Sequence, residues 1–152
     1  MKERARRDNF ENRKAKASSD RNIENESIEF FKKNVLRLNE LRDQYDIFCD
    51  HAKAYAEKLK EGGVSTSKIR RLYARILNAA EVMDIKLLRP HFAYISGRNE
   101  DSAVLKKFMD LLDYLAKEMD INNRQHLDNF KQFMEAIVAY RKYAGKDKKG
   151  ES

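Results

Sequence analysis

The 152-residue chain has little of what interrupts a helix: one proline and five glycines. These two residues are the most costly in a helix interior, so their scarcity argues against a turn-rich β fold. A single cysteine, Cys49, excludes an internal disulfide and suits a reducing compartment, so a cytoplasmic location is expected. Apolar runs extend only a few residues, against the roughly 20 that a spanning helix needs, so no membrane segment is expected. The first residues are charged and lack the apolar stretch of a secretory signal, so none is expected. Lys, Glu, Leu, Ala and Arg are plentiful instead. Strong helix formers with few breakers predict one all-α domain, a compact bundle of about five or six helices.

The net charge of +7 is unevenly placed. Residues 27–61 balance seven basic groups against seven acidic, and 100–152 balance ten against ten. The excess lies in 1–17, with seven basic and three acidic groups, and in 64–98, with seven basic and two acidic. Two basic zones in an otherwise neutral chain suit a polyanionic partner, the alternative being a solvated surface with a basic tail.

Residues 1–26 are polar, with Phe10 and Ile23 the only large apolar groups. Such a segment buries too little to offset its ordering entropy and is expected to be a mobile or weakly helical basic extension. Its Arg4, Arg6, Arg7, Arg13, Lys14 and Lys16 either help hold a phosphate backbone or only keep the chain soluble. A domain is expected over 27–145 and a solvated tail over 146–152. Ile28, Phe31, Val35, Leu38, Leu41, Tyr45, Phe48, Ala52, Tyr55 and Leu59 step by three or four, which predicts helix over 27–61. Ser27 would be its N-cap and Gly62-Gly63 its stop, with a break near Asn39 because the span is long for one helix.

A second helix is expected over 66–82, with Ile69, Leu72, Tyr73, Ile76, Leu77 and Ala80 facing inward. Lys68, Arg71 and Arg75 then fall together on the opposite side, with Arg70 on the flank. Lys68 to Arg75 covers roughly 10 Å of axis, enough to meet two neighbouring phosphates of a nucleic-acid strand. Ser65-Thr66-Ser67 is expected to cap the helix. Over 86–98, Pro90 suits a helix first turn, with Arg89 before it extended. Leu87, Leu88, Phe92 and Ile95 are expected in the core. Tyr94 either packs or stacks, packing being the default. Gly97 is expected as a C-cap, with Arg98 projecting from the turn. Further amphipathic helices are expected over 103–119, after the polar loop Asn99 to Ser102, and over 127–144, ended by Gly145. Arg141 and Lys142 would sit in the final turn of the last, where cations suit the helix dipole.

Catalytic chemistry has little to stand on. His51, His91 and His126 are far apart, no zinc-ligand spacing occurs, and Cys49 has no neighbouring cysteine and reads as a packed thiol. Neither a phosphate-binding Gly-rich loop nor a dinucleotide fingerprint is present. Asp110 and Asp113 lie at i,i+3 on a helix exterior, where a solvated face is the expected role. No nucleophile is paired with a base, so no catalytic residue, metal or cofactor is expected, and a nuclease is the weaker hypothesis.

Three stretches together resemble a known family. Thr66-Ser67-Lys68-Ile69-Arg70-Arg71 is similar to its helix-opening signature. Leu88 to Arg98 fits the pattern LRPxxAYxxGR. Met134 to Tyr140, followed by Arg141-Lys142, is similar to its C-terminal helix. The family is the small subunit of type III-A CRISPR–Cas effector complexes, the Csm complex, and the resemblance covers roughly 64–145. It implies a non-catalytic helical bundle whose copies stack head to tail, beside a large subunit and backbone subunits, along the duplex of crRNA and target RNA. The subunit would touch the sugar–phosphate backbone and leave sequence recognition to base pairing. By position, the resemblance carries RNA contact to Lys68, Arg70, Arg71, Arg98, Arg141 and Lys142; helical geometry adds Arg75. The alternative is a helical protein–protein adaptor without RNA contact, in which Arg89, Arg98 and Arg141 make structural or intersubunit salt bridges. The chain departs from the family pattern in the length of chain ahead of Thr66.

Overall fold

A computed structural model describes residues 22–98 and 102–146. The expectations for residues 1–21 and for the tail from 147 lie outside the described residues. Residues 22–26, expected in the extension, already belong to helix α1, which spans 22–34. Two 3-10 turns follow, Val35–Glu40 and Arg42–Gln44. Then come α2 (Tyr45–Glu61), α3 (Thr66–Leu77), α4 (Val82–Lys86), α5 (Arg89–Arg98), α6 (Ala103–Glu118) and α7 (Arg124–Tyr143). Among the described residues there is no strand.

The break expected near Asn39 is there, and its cause is local. Arg37 leaves helical angles and Arg42 adopts a positive φ of 50°. Val35, Leu38 and Leu41 remain buried because a step of three suits the three-residue turn of a 3-10 helix. Buried Asn129 of α7 serves the interruption. Its Nδ2 donates to the Leu36 carbonyl at 2.7 Å and to Asn39 Oδ1 at 2.8 Å, and its Oδ1 accepts from Gln125 Nε2 at 3.0 Å. Ser27 is not a cap. It lies inside α1, buried, with its hydroxyl 3.0 Å from His51 Nδ1.

Helix α7 organises the packing. It runs against α2, α3, α4 and the first 3-10 turn, while α5 pairs with α6. Phe130, Phe133, Met134 and Ile137 of α7 are fully buried. Phe31 of α1 meets Phe133 at a ring-centroid distance of 5.0 Å and Tyr55 of α2 at 5.6 Å. Each such aromatic contributes about 1.5–3 kcal/mol by leaving water. After α2 the chain turns at Gly62-Gly63. Gly63 has φ +79°, and a Cβ on Gly62 would stand 2.6 Å from Val104 of α6, so the helices approach too closely for a side chain there.

The helix expected over 66–82 ends early, at Leu77. Three cations take up carbonyls freed around this break and at the end of α6. Lys131 Nζ donates to the Leu77 and Ala79 carbonyls at 3.1 and 2.6 Å, and Arg124 Nη1 to that of Ala80 at 2.8 Å. Lys86 Nζ donates to the Ala116 and Lys117 carbonyls at 2.8 and 3.0 Å. Helix α4 restarts where the Asp84 carboxylate accepts from the Glu81 backbone N–H at 3.1 Å, half of a capping box. The restart rotates the register. Ala80, expected to face inward, is exposed while Ala79 is buried; Leu87, expected in the core, is 64% exposed.

The segment 86–98 departs from expectation in three further ways. Arg89 is not extended but opens α5, one residue ahead of Pro90. Gly97 is not a C-cap, because α5 continues through Arg98 and Gly97 has no positive φ. Tyr94 does not pack; it is 62% exposed. The later boundaries follow expectation more closely. The Ser102 hydroxyl caps α6 by accepting from Leu105 N at 3.2 Å, and Gly145, at φ +105°, follows the end of α7.

Candidate nucleic-acid interface

Ser65 starts the segment that matters most. Its hydroxyl accepts from Lys68 N at 3.0 Å and fixes where α3 begins, and therefore its register. Ile69, Leu72 and Ile76 are buried. At about 100° per residue, Lys68, Arg71 and Arg75 fall within about 60° of one another. They lie beside the buried face rather than opposite it, which corrects the expected arrangement. They line a cleft of about 280 Å³ with Leu72, with His91 and Ile95 of α5, and with Met109 of α6. Arg71 and Arg75 are exposed and Lys68 half-buried.

Arg75 Nη1 stands 2.7 Å from His91 Nε2. A guanidinium can only donate, so this contact requires a neutral imidazole with its lone pair at Nε2. Burial, and then the Arg75 charge, lower the His91 pKa from the ordinary histidine value, which favours that neutral form. Neither Arg71 nor Arg75 makes an ion pair with a carboxylate among the described residues. The cleft wall is thus cationic without internal compensation at these two side chains.

The other expected contacts do not share this cleft. Arg70 is exposed but points away around α3, about 100° from Arg71. Arg98 is exposed as the last residue of α5, seven positions beyond His91 and so on nearly the same helical face. Lys142 is exposed near the end of α7. Arg141 is 1% exposed. Its Nε donates to the Val64 carbonyl at 3.0 Å and its Nη1 to the Gly145 carbonyl at 2.9 Å. Burial lowers its pKa, a pull that Glu57 opposes. A guanidinium enclosed on two backbone carbonyls is a clamp between the α2–α3 loop and the end of α7, and it is removed from the contact set for that reason. Arg89 is likewise engaged, its Nε 2.8 Å and Nη2 3.4 Å from the two oxygens of Asp113. Asp110 accepts from Ser96 at 3.5 Å, so both aspartates of α6 serve its pairing with α5.

A model of the Csm2 family, type III-A, matches residues 42–147. The chain belongs to the Csm2 family. A curated relative, the CRISPR system Cms protein Csm2 of Streptococcus thermophilus, is 30% identical over 112 residues, which is 65% of this chain and 90% of the relative. No solved structure matches. The resemblance to the small subunit of the type III-A Csm complex, seen in three short motifs, is borne out by a match that spans α2 to α7. The match to the Csm2 family also takes in the Ser65-capped helix and its cationic side chains. His91 is the functional candidate that the linear sequence hid. It stands sixteen residues beyond Arg75, and only the fold, through α4, brings α3 and α5 together at this contact.

Proposed function

We propose that this protein is a non-catalytic small subunit of a type III-A RNA-guided effector. It lays the Lys68–Arg71–Arg75 face of α3 along the sugar–phosphate backbone of the crRNA–target RNA duplex. The observation that carries this reading is the convergence of three cations in one cleft, two of them exposed and without a carboxylate partner among the described residues. Cation–phosphate contacts position a protein without reading bases, which suits a subunit that must accept any guide. Weak contacts repeated along stacked copies give strong overall binding through high effective concentration. Arg70, Arg98 and Lys142 stay in the proposal as exposed outlying contacts; Arg141 does not. Met83 of α4 and Leu87 just past its end are exposed four residues apart, a small apolar surface suited to contact with another subunit or another copy.

The test is RNA binding by the full chain with Lys68, Arg71 and Arg75 changed together to Ala. The expected result is a uniform loss of affinity across RNA sequences. The plot of log affinity against log salt should become shallower by about 3, at roughly one unit per lost phosphate contact, with an unchanged melting temperature. Normal RNA binding by this variant at moderate salt overturns the reading. The adaptor reading gains from Arg89 and Arg141, both of which are structural. It makes no use of the cationic cleft and predicts that isolated protein has no RNA affinity.

A further inference from the structure

We infer that His91 is a further phosphate ligand in this cleft, one that takes a proton from solvent onto Nε2 when a backbone phosphate draws Arg75 away from that nitrogen. The inference rests on the reading of the cleft as an RNA-backbone seat. Its ground is geometric. Three cations and one imidazole line one concavity, and the imidazole's Nε2 is held by Arg75, one of those cations.

In the free protein Arg75 occupies that lone pair at 2.7 Å. The charged groups around the imidazole are Lys68, Arg71 and Arg75 from α3, while α6 contributes Met109 to the wall. Among the described residues no carboxylate lines the cleft, and the two aspartates of α6 are engaged elsewhere, Asp113 by Arg89 and Asp110 by Ser96. The imidazole therefore meets positive charge and burial, both of which keep it neutral. A phosphate in the cleft reverses the balance. Its oxygens accept from Arg75 and its negative charge favours an imidazolium, so His91 gains a proton and becomes a fourth donor. Proton uptake coupled to binding means that affinity rises as pH falls through the interval between the free and bound pKa values of His91.

The experiment measures binding of a labelled mixed-sequence RNA duplex to the full chain between pH 8 and pH 5.5 at fixed ionic strength, for the native protein and His91→Gln. The native protein should bind severalfold more tightly at the acid end, and the glutamine variant should be nearly flat. Calorimetry of the native protein in buffers of different ionisation enthalpy supplies a readout that does not depend on the variant folding. It should show net proton uptake on binding near pH 6.5. Equal pH slopes in the two proteins, or no proton uptake by the native one, overturn the inference while leaving RNA binding intact. No RNA binding by the native protein at any pH overturns the reading of the cleft and the inference with it.

Discussion

Arg75 and Arg141 were candidates for the same task, and the fold gives them opposite ones. Arg75 lies beside the buried stripe of α3, its guanidinium in an open cleft against a neutral imidazole. Arg141 lies on the stripe itself, at i+4 from Ile137, and its guanidinium is enclosed on the carbonyls of Val64 and Gly145. One position of register separates a charge that meets solvent from a charge that closes a bundle. Desolvating a guanidinium costs free energy that only well-placed acceptors offset, so Arg141 is committed to its carbonyls. Arg75 bears no such commitment. The same division runs through other cations. Lys60, Lys86, Arg124 and Lys131 are spent on backbone carbonyls at helix ends, and Arg89 on Asp113. A basic composition is therefore a poor guide to the size of an anion-binding surface.

The largest expected effect breaks the comparison from the buried side. Arg141→Ala leaves two carbonyls without their donor and opens space at the end of α7. It should cost about 3 kcal/mol of stability, seen as a melting temperature lower by roughly 6–12 °C for a chain of this size. RNA affinity of the protein that remains folded should be unchanged. A variant that melted like the native protein but bound RNA poorly would place Arg141 with Arg75.

A smaller effect sharpens the comparison on the open side. Arg71→Ala should leave the melting temperature unchanged and weaken RNA binding roughly fivefold, about 1 kcal/mol for one charge-assisted contact. Arg70→Ala, one position along the same helix and turned away from the cleft, should lose distinctly less. Fluorescence anisotropy with a labelled duplex compares the two directly. Equal losses would mean that charge anywhere on α3 matters and that the cleft does not.

Much of this was legible in the chain. The stripes of α2, α6 and α7 follow from their apolar spacing, and Ser65, Ser102 and Gly145 mark ends because their chemistry suits caps and left-handed turns. The burial of Arg141 was legible too. Phe130, Phe133, Met134 and Ile137 step into it by threes and fours; its place among the RNA contacts comes from the family resemblance by position, and the alternative of a structural arginine is the one its burial favours. The end of α3 was harder. Ala80 and Val82 continue its apolar rhythm, and the break depends on Lys131 and Arg124, some fifty residues away, taking the freed carbonyls. Leu87 and Tyr94 were misplaced as a consequence, since the phase of α4 and α5 is set after that break. The Arg75–His91 contact needed the fold, because it joins two helices across the restart.

The smallest effect turns the comparison into a matter of sign. In the free protein His91 is held neutral, with a pKa lowered by burial and by Arg75. A group whose folded pKa is depressed contributes stability that is fully present above its unfolded value, about 6.5 for histidine. That stability is lost as pH falls through the folded pKa. The free chain should thus become slightly less stable between about pH 6.5 and lower pH, and His91→Gln should lack this part of the decline. Denaturant titrations at a series of pH values measure the difference. Bound RNA should reverse the direction, because the phosphate favours the protonated imidazole that the free cleft resists. Arg141 offers no counterpart to this reversal: its guanidinium stays charged over the whole range, and its carbonyl partners do not titrate. If the free native protein and His91→Gln lost stability in parallel on acidification, Arg75 would be no more than a neighbour of His91, and the open cleft would lack the sensitivity to charge that separates it from the enclosed Arg141 clamp.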